Sequence, residues 1–220
     1  MAEDQVPVPS PSRAQLLATE HWGLLASRST AQSEVLTRIS MFLTLVSAAL
    51  VSLALVGQAT DFSDAFVGWA IGVLVFVSIV GVLTQMRVLN VGMEDLMYVL
   101  AMNRLRAAYV DIDPGVRPYL MASPHDDEAG SGRTYYFLGN RSAFSQVGGS
   151  SMMFIMVVNS ALVGLLVAAI AAILGGATAL VSTIGALAGL AYFFFFLIRG
   201  ARSYQNVWKS HKPVSPSPTA

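Results

Sequence analysis

Apolar residues fall in four long runs, and charge is confined to their ends. From Ser142 to Ile198 no side chain carries a formal charge, and Arg141 and Arg199 bound the stretch. A helix that crosses a bilayer needs roughly 20 apolar residues. The stretch is therefore too long for one span and fits two, Met152 to Leu174 and Ala179 to Ile198, with Gly175 and Gly176 turning between them. Upstream, Ile39 to Thr60 and Ala65 to Met86 are also uncharged and free of proline, with Asp61 and Asp64 marking the short loop between them. The pattern predicts an all-α, four-helix polytopic membrane protein.

Helical periodicity continues beyond the second span. Leu89, Met93, Leu96, Leu100, Asn103 and Ala107 recur at steps of three and four until Asp113-Pro114-Gly115 breaks the pattern. At 1.5 Å per residue, Val88 to Tyr109 adds roughly 33 Å of helix. Ahead of the first span, Leu17, Leu24, Ala31 and Val35 form a thin apolar stripe, and Ser12 with Gln15 fits a capping box. Residues 13 to 113 thus read as an extended antiparallel helical hairpin containing the first two spans. With its loop centred on Thr60 and Asp61, Glu34 should face Arg87, Arg28 face Glu94, Glu20 face Arg104 and Arg13 face Asp111, each a pair of opposite charge.

The remaining organisation follows from composition. Pro7, Pro9 and Pro11 mark residues 1 to 12 as a disordered tail, and Pro213, Pro216 and Pro218 give the last residues the same character. Residues 114 to 151 form a loop region rich in proline, glycine and charge, and residues 199 to 220 a basic tail. Tyr204 and Trp208 stand among its cations as an interface anchor. The first 38 residues lack the apolar core of a cleavable signal peptide, so the first span is expected to serve as a retained targeting signal.

Overall composition is 55% hydrophobic and 12% charged with a net charge of zero, so nothing at whole-chain level calls for nucleic acid. Distribution says more. The 13 Lys and Arg residues lie before the first span, between the second and third, and after the fourth. The positive-inside rule then puts both termini and the extended hairpin ends in the cytoplasm of a cell (inner) membrane. Only two of the cations are lysines, Lys209 and Lys212, which is compatible with a GC-rich bacterial source.

Small residues recur every fourth position within the spans: Gly68 and Gly72, then Ser160, Gly164 and Ala168, then Gly185 and Gly189. Such faces let helix backbones approach closely. No span contains Asp, Glu, Lys, Arg or His, which argues against a proton-coupled transporter. Thr44, Thr84, Gln85 and Asn159 are polar at membrane depth, and helix-to-helix hydrogen bonds account for them.

Candidate chemistry is sparse. Absence of cysteine excludes disulfides, thiol nucleophiles and thiolate metal sites. His125, Asp126, Asp127 and Glu128 are metal-ligand types, yet neighbours in a loop rarely converge on one ion; solvated loop charge is the plainer reading. Gly130-Ser131-Gly132-Arg133 lacks the strand and helix of a phosphate loop, and His21 is part of no recognisable triad order. No cofactor is called for.

Glu20 to Arg38, the uncharged span, the acidic loop, the second span and a helix carrying Asn103-Arg104-Leu105-Arg106 resemble the two-span SLATT type of bacterial membrane effector. The same layout is similar to uncharacterised multi-span membrane proteins of actinobacteria. The resemblance covers residues 13 to 113, and the last two spans depart from the two-span pattern. It implies a pore formed in nucleotide-triggered defence. The expectation taken forward is a non-enzymatic pore-forming or accessory subunit, whose partners are the lipid bilayer and a second copy or a membrane protein. The alternatives are a metal-binding or enzymatic module on residues 114 to 141, and a lipid-handling protein.

Overall fold

The computed structural model describes residues 11–139 and 142–218. Arg141 and residues 1–10, the larger part of the expected N-terminal tail, lie outside the described residues. Six α-helices follow one another: α1 (Pro11–Ala59), α2 (Asp64–Ile112), α3 (Glu128–Tyr135), α4 (Ala143–Gly148), α5 (Ser151–Ile173) and α6 (Thr178–Ser210). A 3₁₀ turn, Pro114–Tyr119, precedes α3, and no strand occurs among the described residues. Four of the helices, α1, α2, α5 and α6, are long and apolar enough to cross a membrane. This is an all-α, multi-pass membrane protein.

Each of α1 and α2 is a single 49-residue helix, so the sequence periodicity continues unbroken past the uncharged runs. Their connection is tight: Asp61 and Phe62 both take positive φ, and the Phe62 amide donates to the Gly57 carbonyl at 2.9 Å. The Phe62 ring covers Gly57 so closely that a Cβ there would lie 2.5 Å from it. Gly175, at φ 81, supplies the left-handed residue that closes α5, as the glycine pair led one to expect. Pro11 is already helical, a favoured place for proline in a first turn. Ser12 therefore sits inside the first turn of α1. The fourth span also outruns its prediction, because α6 carries on through Arg199 and Arg202 to Ser210.

The chain divides into two compact units. One comprises Glu34–Asn90 and Ala143–Gln205. Its core joins Ile39 and Phe42 of α1, Leu74 and Val77 of α2, and Ile155 and Leu162 of α5, all under a tenth exposed. Leu55, Phe76, Leu83, Leu187 and Phe195 stand outward and exposed, as apolar side chains facing lipid do. The other unit comprises Met1–Ser33, Val91–Ser142 and Asn206–Ala220. Leu96, Val99, Leu100 and Met102 of α2 form its apolar floor, against which Leu17, Leu24 and Ala31 of α1 are half-buried.

Candidate functional site

In the second unit, α2 supplies two polar residues that organise everything after it. Asn103 is fully buried; its Nδ2 donates to the His125 carbonyl at 2.7 Å, and its Oδ1 accepts from Arg106 at 2.7 Å and Thr134 at 2.9 Å. Thr134 accepts in turn from the Ser123 amide, and Ser123 Oγ accepts from the His125 amide. The segment that composition marks as irregular is thereby ordered. Asp113 caps the 3₁₀ turn through the Gly115 amide at 2.8 Å, and Asp127 caps α3 through the Gly130 amide at 2.7 Å.

Arg104 leads to the centre of this unit, the carboxylate of Asp126. That side chain is 0% exposed. It accepts from Arg104 Nε at 2.5 Å, from the Val214 amide at 3.1 Å and from the Ser215 amide at 2.8 Å. Burial alone would raise its pKa, but the Arg104 guanidinium and then the two amides outweigh it and hold the carboxyl at about 2. Around this charge the Asp126 amide donates to the Ser215 carbonyl, and Ser215 Oγ donates to the Pro124 carbonyl. Asp127 accepts from the Ser217 amide at 2.6 Å and from Ser217 Oγ at 2.9 Å. His211 Nε2 lies 2.6 Å from the Asp126 carbonyl, which can only accept, so the imidazole proton sits on Nε2. Residues 213–218, expected to be disordered, are instead clasped onto the loop by its two adjacent aspartates.

His125, Asp126, Asp127 and Glu128 do not act as one group, and the reading of solvated loop charge is corrected at Asp126, which is fully buried. Asp126 is consumed by Arg104 and the tail, Asp127 by α3 and Ser217, and Glu128 points into solvent from the first turn of α3. Among the described residues no group of three or more His, Cys, Asp or Glu is placed to hold an ion. His21 stacks on Tyr109, with Nδ1 3.2 Å from its hydroxyl, and among the described residues has no serine or carboxylate partner for nucleophilic chemistry. Burial, then nearby Arg106, pushes its pKa down.

Of the proposed hairpin ion pairs, Glu34 and Arg87 meet at 2.8 Å, and Glu34 also holds Arg38 at 2.8 Å. Arg28 finds its carboxylate one residue beyond the expected Glu94. It grips Asp95 with two bonds, at 2.6 and 3.2 Å, and Asp95 also accepts from Gln32 and the Tyr135 hydroxyl. One residue along a helix turns the side chain by about 100°, so counting along the hairpin locates the level and misses the face. Glu20 does not hold Arg104, because Asp126 and the Lys212 carbonyl take that guanidinium. Arg13 and Asp111 form no ion pair with each other among the described residues.

The helix-packing residues divide in the same way. A Cβ on Gly189 would lie 2.7 Å from the Ser160 carbonyl oxygen, one on Gly185 2.8 Å from that of Gly164 and from Ala168 Cβ, and one on Gly164 2.9 Å from the Gly185 oxygen. Gly164, Gly185 and Gly189 thus let α5 and α6 touch backbone to backbone within one chain. Gly68 and Gly72 meet nothing within 4 Å and mediate no close approach. Beside the α5–α6 contact runs an open furrow of about 760 Å³, bordered by Ala161, Leu165, Ala186 and Leu190. Deeper in this unit, Asn159 donates to the Gly81 carbonyl at 2.9 Å and to Gln85 Oε1 at 2.8 Å, and the Tyr192 hydroxyl reaches the same Oε1 at 3.0 Å. Sequence reading named Asn159 and Gln85 and missed Tyr192, and it missed Thr134, His211, Ser215 and Ser217 altogether. No spacing signal marks the tail residues, since their partners lie about 90 positions upstream.

No protein-family model, curated protein or solved structure matches this chain.

Proposed function

We propose that this chain is a non-enzymatic subunit of a membrane assembly, acting with further copies of itself, with both termini in the cytoplasm. The observation that carries the proposal is the furrow of about 760 Å³ along α5 and α6. Its floor is glycine backbone already in contact, and its rim is exposed small and aliphatic side chains, a shape suited to a helix of a second copy. The segregation of all 13 cations supports the orientation. Within one chain, the hydrogen-bonded Gln85, Asn159 and Tyr192 fill the space where the helices meet, so a conducting path would run between copies.

Native mass measurement in mild detergent tests this. The wild-type chain should appear as a defined oligomer. Ala161→Phe with Ala186→Phe fills the furrow without entering the glycine contact and should yield monomers. A monomeric wild type, or an oligomer indifferent to both rings, would overturn the proposal. Substitutions at Gly164 or Gly185 are avoided, since a Cβ there would press on the facing backbone within one chain.

A further inference from the structure

A cavity of about 200 Å³ lies outside the tail clasp, lined by Arg117, Leu120, Met121, Ser123, His125 and Arg133 among others. Arg117 comes from the end of the 3₁₀ turn and Arg133 from the last turn of α3. Neither guanidinium has a carboxylate partner among the described residues, and no acid lines the cavity. Asp127, the acid whose field reaches His125, is already occupied by Gly130 and Ser217. Two like charges brought to one cavity repel each other unless an anion sits between them.

His125 Nδ1 is buried and has no hydrogen-bond partner. Its main chain is fixed on both sides, the amide on Ser123 Oγ and the carbonyl on Asn103, so the ring is held in place while its nitrogen stays unused. A buried polar atom without a partner is uncommon and carries a free-energy cost. The ring belongs to the wall that Arg117 and Arg133 also line, with Nδ1 closed off from the open space. Leu120 and Met121 add apolar lining, with Met121 exposed there and Tyr119 exposed just upstream.

We propose that this cavity binds a phosphate group, carried by a phospholipid headgroup or by a small soluble phosphate compound. Arg117 and Arg133 each offer paired N–H donors that match phosphate oxygens. At about 30 Å³ per water the cavity has room for about six or seven waters, enough for a phosphate and the first atoms of its ester. The loop then has a task for which the Asn103 and Asp126 networks are the support. They fix the backbone of the cavity wall at His125.

Calorimetric titration of the full chain in phosphate-free maltoside micelles tests the proposal with two probes, inorganic phosphate and monomeric dihexanoyl phosphatidic acid. Sodium chloride at equal ionic strength is the control. One saturable site is expected, and Arg117→Gln with Arg133→Gln should weaken it by at least about tenfold. Phosphatidic acid binding far more tightly than phosphate identifies a lipid headgroup as the source, and similar affinities identify a soluble phosphate. Arg117→Lys with Arg133→Lys, which keeps both charges and loses the paired donors, is the second variant and should also weaken binding; melting curves check that each variant is folded. Absence of saturable binding by either probe, or affinities unchanged in both variants, would overturn the site.

Discussion

Replacing Asp126 by asparagine keeps the shape of the side chain and removes its charge, which isolates what the charge does for the C-terminal clasp. The carboxyl lies at about 2 in the folded chain against an ordinary 3.8. At 1.36 kcal/mol per unit, that difference makes the ionised form worth about 2 kcal/mol to the clasp. Arg104 is partly exposed and rehydrates when its partner goes neutral, whereas the Val214 and Ser215 amides lose a charged acceptor inside the fold. Only the amides' share of that figure is lost when residues 213–218 detach, since Arg104 stays with Asp126, so opening should become roughly 3- to 10-fold more populated. Amide hydrogen exchange on a peptic peptide covering the tail reads this directly. The same sign applies to pH. A depressed carboxyl pKa contributes stability above the unfolded value and loses it as pH falls from about 3.8 toward about 2, so exchange of the wild-type tail should accelerate across that window. Unchanged tail exchange in Asp126→Asn would refute the clasp.

Three further outcomes follow from the same contacts. Asn159→Leu removes two buried bonds, to Gly81 and Gln85, and should destabilise the protein in detergent by about 1–2 kcal/mol, the scale of membrane hydrogen bonds; an unchanged melting temperature would mean the bonds are not made. Gly189→Leu should cost about 1–3 kcal/mol by forcing α6 off the Ser160 carbonyl, while Gly72→Leu, with nothing nearby, should stay within about 0.5 kcal/mol; equal effects on thermal unfolding would contradict the packing. A double-mutant cycle between Arg28→Gln and Asp95→Asn should give about 1 kcal/mol of coupling, and one between Arg28→Gln and Glu94→Gln close to none. The reverse order would restore the pairing read from sequence.

What the sequence revealed was governed by local chemistry. Hydrophobic runs, helical spacing and glycine at a left-handed position each act over a few residues, so four spans, the continuous α2 and the Gly175 turn could all be read. Polar residues in an apolar run are conspicuous for the same reason, and Asn159 and Gln85 do bond to each other. Long-range polar recognition was invisible. Pro213 to Pro218 has the composition of a disordered tail, and its order depends on amides that any sequence would supply meeting Asp126 and Asp127. Arg104 could not be assigned to Asp126 over Glu20 without knowing that the loop folds back across α2. Likewise, small residues at fourfold spacing in α2 and in α5 look alike, yet only those in α5 and α6 meet a backbone.

The four-span arrangement with every cationic segment on the cytoplasmic side is open to one decisive measurement. The natural chain holds no cysteine, so single cysteines report without background. Ser131 is buried, and Ala129, exposed on the same helix, is the better position for a label. In intact cells an impermeant thiol reagent should modify Gln58→Cys and Thr178→Cys, and should reach Ala129→Cys and Ser210→Cys only after the membrane is opened. Labelling of Ala129→Cys or Ser210→Cys in sealed cells, or silence at both Gln58→Cys and Thr178→Cys, would contradict it.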